Sequence, residues 1–237
     1  MMILLAAGLL PPLYLLWKVY QSDRIEKEPA GLLFTIFLYG MLSTLPAGIL
    51  ENIGMYILYL VPFPESLTEA AATRLFNLLF YFIVVGGAEE FVKYVAMKLP
   101  TWRNPEFNYV FDGVVYGVTA SLGFAALENV LYVLDTGLFT AGIRAWTAIP
   151  LHCIAGIFMG HYYGIAKSAE LWNDLRIRDK MLRRSILIPM LIHGAYDFIA
   201  SDESEILSLV FLVYIVILDV VALRAMKKYS GNDVRLY

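Results

Sequence analysis

The chain has 237 residues, 59% of them hydrophobic and only 16% charged, with a formal charge of −3 and a positive mean hydropathy, whereas a soluble domain carries about 25% charged residues and roughly 45–50% apolar ones. That excess of apolar surface requires a lipid bilayer, and with no basic face or stripe there is no support for nucleic-acid binding. One cysteine, Cys153, excludes an intrachain disulfide and a thiolate metal site, and it reads as a packing residue.

A membrane span needs roughly 20 largely apolar residues. Taken in chain order, such stretches predict about seven spans, at approximately 1–20, 30–60, 75–98, 108–134, 143–167, 182–200 and 204–225. The expected fold is therefore all-α, a polytopic transmembrane helical bundle, with residues 1–237 forming a single membrane-embedded domain and no soluble domain attached. The first stretch lacks a basic start and a small-residue cleavage site and contains Pro11 and Pro12, so it is expected to stay as a span rather than be removed as a signal peptide. The second is long enough to bend or break, at Pro46 or Gly48. The short connection from Ser201 to Ser204 makes the last two spans an antiparallel pair, and Asp202, Glu203 and Glu205 mark an aqueous boundary. No repeat of fixed period is visible, which argues against a solenoid or a transporter built on an inverted repeat.

Basic residues give an independent check on topology, because cytoplasmic loops are enriched in Lys and Arg. Lys18, Arg24 and Lys27 follow the first span; Lys98 and Arg103 the third; Lys167, Arg176, Arg178, Lys180, Arg183 and Arg184 the fifth; Arg224, Lys227, Lys228 and Arg235 the seventh. The alternate loops hold only Arg74 and Arg144. This asymmetry predicts an outside N-terminus, a cytoplasmic C-terminus and an odd number of spans.

An acidic or basic residue at the centre of a membrane helix costs roughly 2.5–3.5 kcal/mol on insertion scales, so such residues should be few, paired and turned from lipid. Here Glu51, Glu89, Glu90, Lys93, Asp112, Glu128, His152, His161, His193 and Asp197 all fall in or at the edges of spans, so several must line a shared polar interior. In Gly86-Gly87-Ala88-Glu89-Glu90-Phe91-Val92-Lys93, helical spacing places Lys93 within reach of both glutamates. The adjacent carboxylates point about 100° apart, so one can face a cavity while the other holds the lysine or a neighbouring helix. A purely structural ion pair is the alternative reading.

In the fourth span Gly117, Ser121, Glu128 and Tyr132 share a face on which small residues allow a second helix to come close. Asn129 is placed to bond either a substrate backbone or a second helix. His152 and His193 are the candidate catalytic histidines, with Asp197 four residues on from His193 and able to orient its ring. His161 falls on the face opposite His152 and reads as structural. Glutamate and histidine inside a membrane suit two chemistries: a metal such as Zn²⁺ generating hydroxide, held by Glu128, His152 and His193, or a glutamate base activating water directly. Neither a His-Glu-x-x-His motif nor a Gly-x-Ser-x-Gly elbow is present.

In their order and spacing these pieces resemble the PrsW-type membrane proteases, themselves related to CAAX prenyl proteases and bacteriocin-processing membrane proteases. The matching residues are Glu89-Glu90-x-x-Lys93, Phe111-Asp112-Gly113, Tyr116-Gly117, Gly123-Phe124-Ala125-x-x-Glu128-Asn129, Arg144 eight residues before His152, Gly156, Gly160, Gly164, and His193 to Asp197. The Glu26-Lys27-Glu28-Pro29 junction after the first span also fits. The resemblance implies an enzyme of the prokaryotic plasma membrane that cleaves a single-pass membrane protein, typically an anti-sigma factor, near its extracytoplasmic side in a stress response. It implies Glu89, Glu90 and His152 as catalytic residues, completed by Glu128 and His193, with Lys93, Asn129, Asp197 and Arg144 in supporting or substrate-binding roles. In the wider superfamily the first motif often ends in arginine; Lys93 keeps the charge without the bidentate geometry. Two rivals use the same residues: a non-catalytic membrane scaffold, and a proton-coupled transporter with the buried acids as a relay.

Overall fold

The computed structural model describes residues 1–64, 66–202 and 204–237; Glu203, one of the acids expected to mark an aqueous boundary, lies outside the described residues. Among the described residues, ten α-helices follow in order: α1 (Met2–Ser22), α2 (Ala30–Leu42), α3 (Thr44–Tyr59), α4 (Glu69–Leu79), α5 (Gly86–Thr101), α6 (Asp112–Thr136), α7 (Leu138–Trp146), α8 (Ala148–Leu171), α9 (Leu175–Ala200) and α10 (Glu205–Gly231). A π-helical segment, Phe80–Val85, joins α4 to α5. Among the described residues there is no strand, only an antiparallel bridge between Tyr109 and Arg235 that pins the C-terminal tail to the α5–α6 loop.

Among the described residues, six stretches are long and apolar enough to cross a membrane: α1, α2 with α3, α4 through α5, α6, α7 with α8, and α10. The sixth expected span, 182–200, falls in the C-terminal part of α9, a helix that is not among those six and whose first turns carry Arg176, Arg178, Lys180, Arg183 and Arg184. Helix α6 lies at the centre, packed against α1, α2, α5 and α8, with 78% of its most apolar window buried against 11% for α10. Long apolar side chains on the outer helices, such as Ile53 and Tyr56 on α3 or Leu209 and Leu212 on α10, face outward, as lipid-facing surface must.

Two spans are broken by the same device. Pro46 is the third residue of α3 and Pro150 the third of α8. A proline has no N–H and its ring clashes with the carbonyl four residues back, here that of Leu42 and Trp146, the last residues of α2 and α7. The helix is interrupted at Ser43 and at Thr147, where φ is −125° and ψ −74°. The first break was expected near Pro46; the second was not, because Pro150 sits inside an otherwise uninterrupted apolar run.

Helices α6 and α8 touch backbone to backbone along Gly113 and Gly117 on one and Gly156, Gly160 and Gly164 on the other. A Cβ on Gly113 would lie 2.6 Å from the Gly160 carbonyl oxygen, and one on Gly156 2.8 Å from that of Gly117. Small residues at four-residue spacing permit this approach, and it carries His152 on α8 up to α6. Gly160→Leu is expected to lower stability by about 3 kcal/mol or more, since neither backbone can yield to a new side chain. Gly31→Ala, where a Cβ meets nothing within 4 Å, should leave the melting temperature unchanged; equal melting of the two variants would contradict this packing.

Candidate active site

The polar residues of α5, α6, α7, α8 and α9 converge on one cluster. Lys93 is fully buried, and its Nζ donates to Glu89 Oε2 and Glu90 Oε1, both at 2.8 Å, and lies 3.0 Å from His152 Nδ1. A tetrahedral ammonium has three protons to give in three directions, which a planar guanidinium cannot match; this geometry accounts for lysine at that position. The Lys93 ammonium also lies over the Phe124 ring, 4.2 Å from its centroid.

From there the network runs outward in two arms. His152 turns Nε2 to Glu128 Oε2 at 2.9 Å. Arg144 Nη2 donates to the same oxygen at 2.7 Å, and Arg144 Nε donates to Asn129 Oδ1 at 3.0 Å. Asn129 Nδ2 donates in turn to the Gly8 carbonyl of α1 at 3.1 Å, so this side chain serves a helix contact. On the other arm His193 Nδ1 meets Glu90 Oε1 at 2.8 Å, and its Nε2 faces Asp197 Oδ2 at 3.3 Å. The two histidine rings stand at 88° with centroids 5.2 Å apart.

Local structure explains how α5 and α9 reach each other. The π segment widens one turn just before Gly86 and Gly87; such inserted turns are frequent at functional sites. Gly86 lies against the Met190 carbonyl, and a Cβ on Gly194 would be 2.7 Å from Phe82. Two glycines thus let α9 close on the start of α5 and bring His193 to Glu90.

A cavity of about 390 Å³ adjoins this cluster, and its wall includes Glu51, Glu89, Glu128, His152, His193 and Asp197. Glu89 contributes to that wall, while Glu90 has no exposed side-chain surface and serves Lys93 and His193. The 100° divergence of adjacent helical residues therefore has its expected consequence: one carboxylate on the cavity and one behind it. Thr44 and Ala148, the first residues after the two proline-induced breaks, also line the cavity. Among the wall residues that the sequence did not assign to the site are Glu51, visible only as a charge inside a span, and Tyr196, which carries no distinguishing signal. His161 lies elsewhere, stacked on Tyr229 with centroids 3.6 Å apart.

Glu89, Glu90, His152 and His193 each present a donor atom within 4.8 Å of the others. Imidazole nitrogens with carboxylate oxygens form the donor chemistry of hydrolytic zinc sites. Glu90 Oε2 is buried without a hydrogen-bond partner among the described residues, and the site's five carboxylates, Glu51 among them, outnumber the two fixed cations, Lys93 and Arg144. The cluster fits a bound metal ion on both grounds. Glu128 touches it through His152 alone.

Comparison with known proteins identifies the family. Residues 28–223 match the family model described as PrsW family intramembrane metalloprotease. A protein named Protease PrsW from Oceanobacillus iheyensis is 32% identical over 99% of both chains. Those of the same name from Geobacillus kaustophilus and Bacillus subtilis are 34% identical over 83% of this chain and 79% of the relative, and 31% identical over 86% of each. No solved structure matches. The chain belongs to the PrsW family of intramembrane metalloproteases, and it is an integral membrane protease.

Proposed function

We propose that the chain acts as one unit over residues 1–237 and hydrolyses a peptide bond of a single-pass membrane protein of the anti-sigma-factor type, with Glu89 as the base that activates water. The observation that carries this reading is the division of labour between the two glutamates: Glu89 reaches the cavity, while Glu90 is consumed in holding Lys93 and His193. Glu89 takes the proton of a water poised in the cavity and the oxygen attacks the scissile carbonyl; the same carboxyl then returns the proton to the departing amine. Lys93 keeps the glutamate pair together, Asp197 orients the His193 ring, and Glu128, fixed by Arg144, orients His152. His152 and His193 line the cavity, and an imidazole N–H released from Glu128 or Asp197 would stabilise the developing oxyanion. A metal, with Zn²⁺ as the ion this donor set suits, would be held by Glu89, Glu90, His152 and His193, with Glu128 behind His152, and would supply Lewis-acid polarisation of water and carbonyl.

Two features support a transmembrane substrate cut toward the extracytoplasmic side. An apolar groove of about 470 Å³, with Leu50, Ile57, Ile83 and Phe91 on its walls, runs up to Gly87 and Ala88 beside Glu89, offering a substrate helix a place next to the carboxylates. With the N-terminus outside and the C-terminus cytoplasmic, the orientation that the basic loops favour, α6 and α9 run outward and α8 runs inward. Glu128 and His193 then sit about two turns before the ends of α6 and α9, and His152 about one turn into α8, all in the outer half.

The test is cleavage of tagged single-pass substrates by purified protein in proteoliposomes, with wild type, Glu89→Gln and His152→Ala compared with and without a chelator. Both variants are expected to be inactive and the wild type chelator-sensitive. Cleavage by Glu89→Gln at the wild-type rate would exclude it as the base.

A further inference from the structure

At the opposite edge of the bundle, three further carboxylates come together from segments far apart in sequence. Asp23 caps the end of α1, Glu28 lies in the α1–α2 connection, and Asp112 is the first residue of α6. All three are buried, at 2%, 4% and 1% exposure, and each offers an oxygen within 4.8 Å of the others. They are distinct from the Glu89–His152 cluster in every residue.

The positive charge available does not settle them. Lys27, the nearest lysine, spends its Nζ on the backbone carbonyls of Tyr20 and Asp23. Tyr116 donates its hydroxyl to Glu28 Oε2 at 2.6 Å. Asp112 Oδ2 accepts from the Asn108 and Tyr109 amides at 2.9 and 2.6 Å. Asp23 Oδ2, shielded from solvent within this cluster, has no hydrogen-bond partner among the described residues. A fourth acid, Asp233 in the C-terminal tail, is tied to the Phe111 amide at 2.8 Å and adds to the negative potential around Asp23.

We propose that Asp23, Glu28 and Asp112 form a binding site for a hard divalent cation of the Mg²⁺ or Ca²⁺ class, which ties the end of α1 and the α1–α2 connection to the start of α6. Carboxylate oxygens without nitrogen or sulfur donors select such ions over zinc. One oxygen from each carboxylate converges there, and a cation would give the buried Asp23 oxygen the partner it lacks.

The experiment is thermal unfolding of the full-length protein in nanodiscs above neutral pH, in chelator and in millimolar Mg²⁺ or Ca²⁺. Wild type and Glu89→Gln are both expected to gain roughly 5 °C or more with metal, and Asp23→Asn and Glu28→Gln to lose that gain. No gain in the wild type, an equal gain in the two cluster variants, or loss of the gain in Glu89→Gln would each overturn the proposal. A second measurement covers variants that fail to fold. Tb³⁺ bound to wild-type protein should emit on tyrosine excitation, be displaced by Ca²⁺, and lose most of that emission in Tyr116→Phe; emission untouched by Ca²⁺ or by that substitution overturns the site.

Discussion

Glu89→Gln is expected to lower peptide cleavage by about 10²–10⁴-fold, the range associated with losing a positioned general base, while the protein still inserts and melts close to the wild type. The substitution is isosteric and leaves Lys93 paired with Glu90 at 2.8 Å and near His152 at 3.0 Å, so the helix contacts survive. Glu90→Gln should behave differently. Its side chain bridges Lys93 on α5 and His193 on α9, away from the cavity, so neutralising it removes a buried charge from two partners at once and lowers the melting temperature along with the rate. Measuring cleavage and unfolding on the same preparations separates the two roles. A Glu90→Gln enzyme that melts normally but is dead, beside an active Glu89→Gln, would reverse the assignment.

Much of the fold is legible in the sequence because membrane spans are read from length and apolarity alone, and these properties are local. The intrahelical pairs are legible for the same reason: Glu89 with Lys93 and His193 with Asp197 follow from four-residue spacing. What joins the pairs is not. His193 reaches Glu90 across 103 residues, and Lys93 reaches His152 across 59; both contacts depend on helix crossings set by Gly86, Gly194 and the Gly113–Gly160 contact. The π segment at Phe80–Val85 has no signature in a uniformly apolar run. The break at Thr147 comes from Pro150, which a hydropathy window passes over. The Asp23–Glu28–Asp112 cluster was hidden because only Asp112 fell in a span; Glu28 stood out only within the junction that fits the family, and Asp23 looked like an ordinary loop acid. Residues outside the hydrocarbon region raise no alarm by composition; only their burial in the fold makes them costly.

Lys93→Met carries the largest expected effect on stability. The ammonium is fully buried and, among the described residues, is the only group that touches Glu89, Glu90 and His152 together. Removing one member of a buried ion pair leaves the remaining charges unpaired and costs about 3–5 kcal/mol, and here two carboxylates on adjacent residues are left facing each other. In chelator, Lys93→Met should therefore unfold at a clearly lower temperature than the wild type. Lys93→Arg should fall between, since it restores the charge but its planar fork cannot serve three acceptors arranged around a point. Adding Glu90→Gln to Lys93→Met should recover part of the loss, because the repulsion that the lysine had offset is itself reduced; a double variant no better than Lys93→Met would mean the lysine acts through packing alone. Zn²⁺ gives the sharpest reading. The ammonium lies among the same donors that fit a metal, so a metal and the lysine compete for one place, and Zn²⁺ should stabilise Lys93→Met more than it stabilises the wild type. Equal stabilisation of both would show that the metal is held without displacing the ammonium.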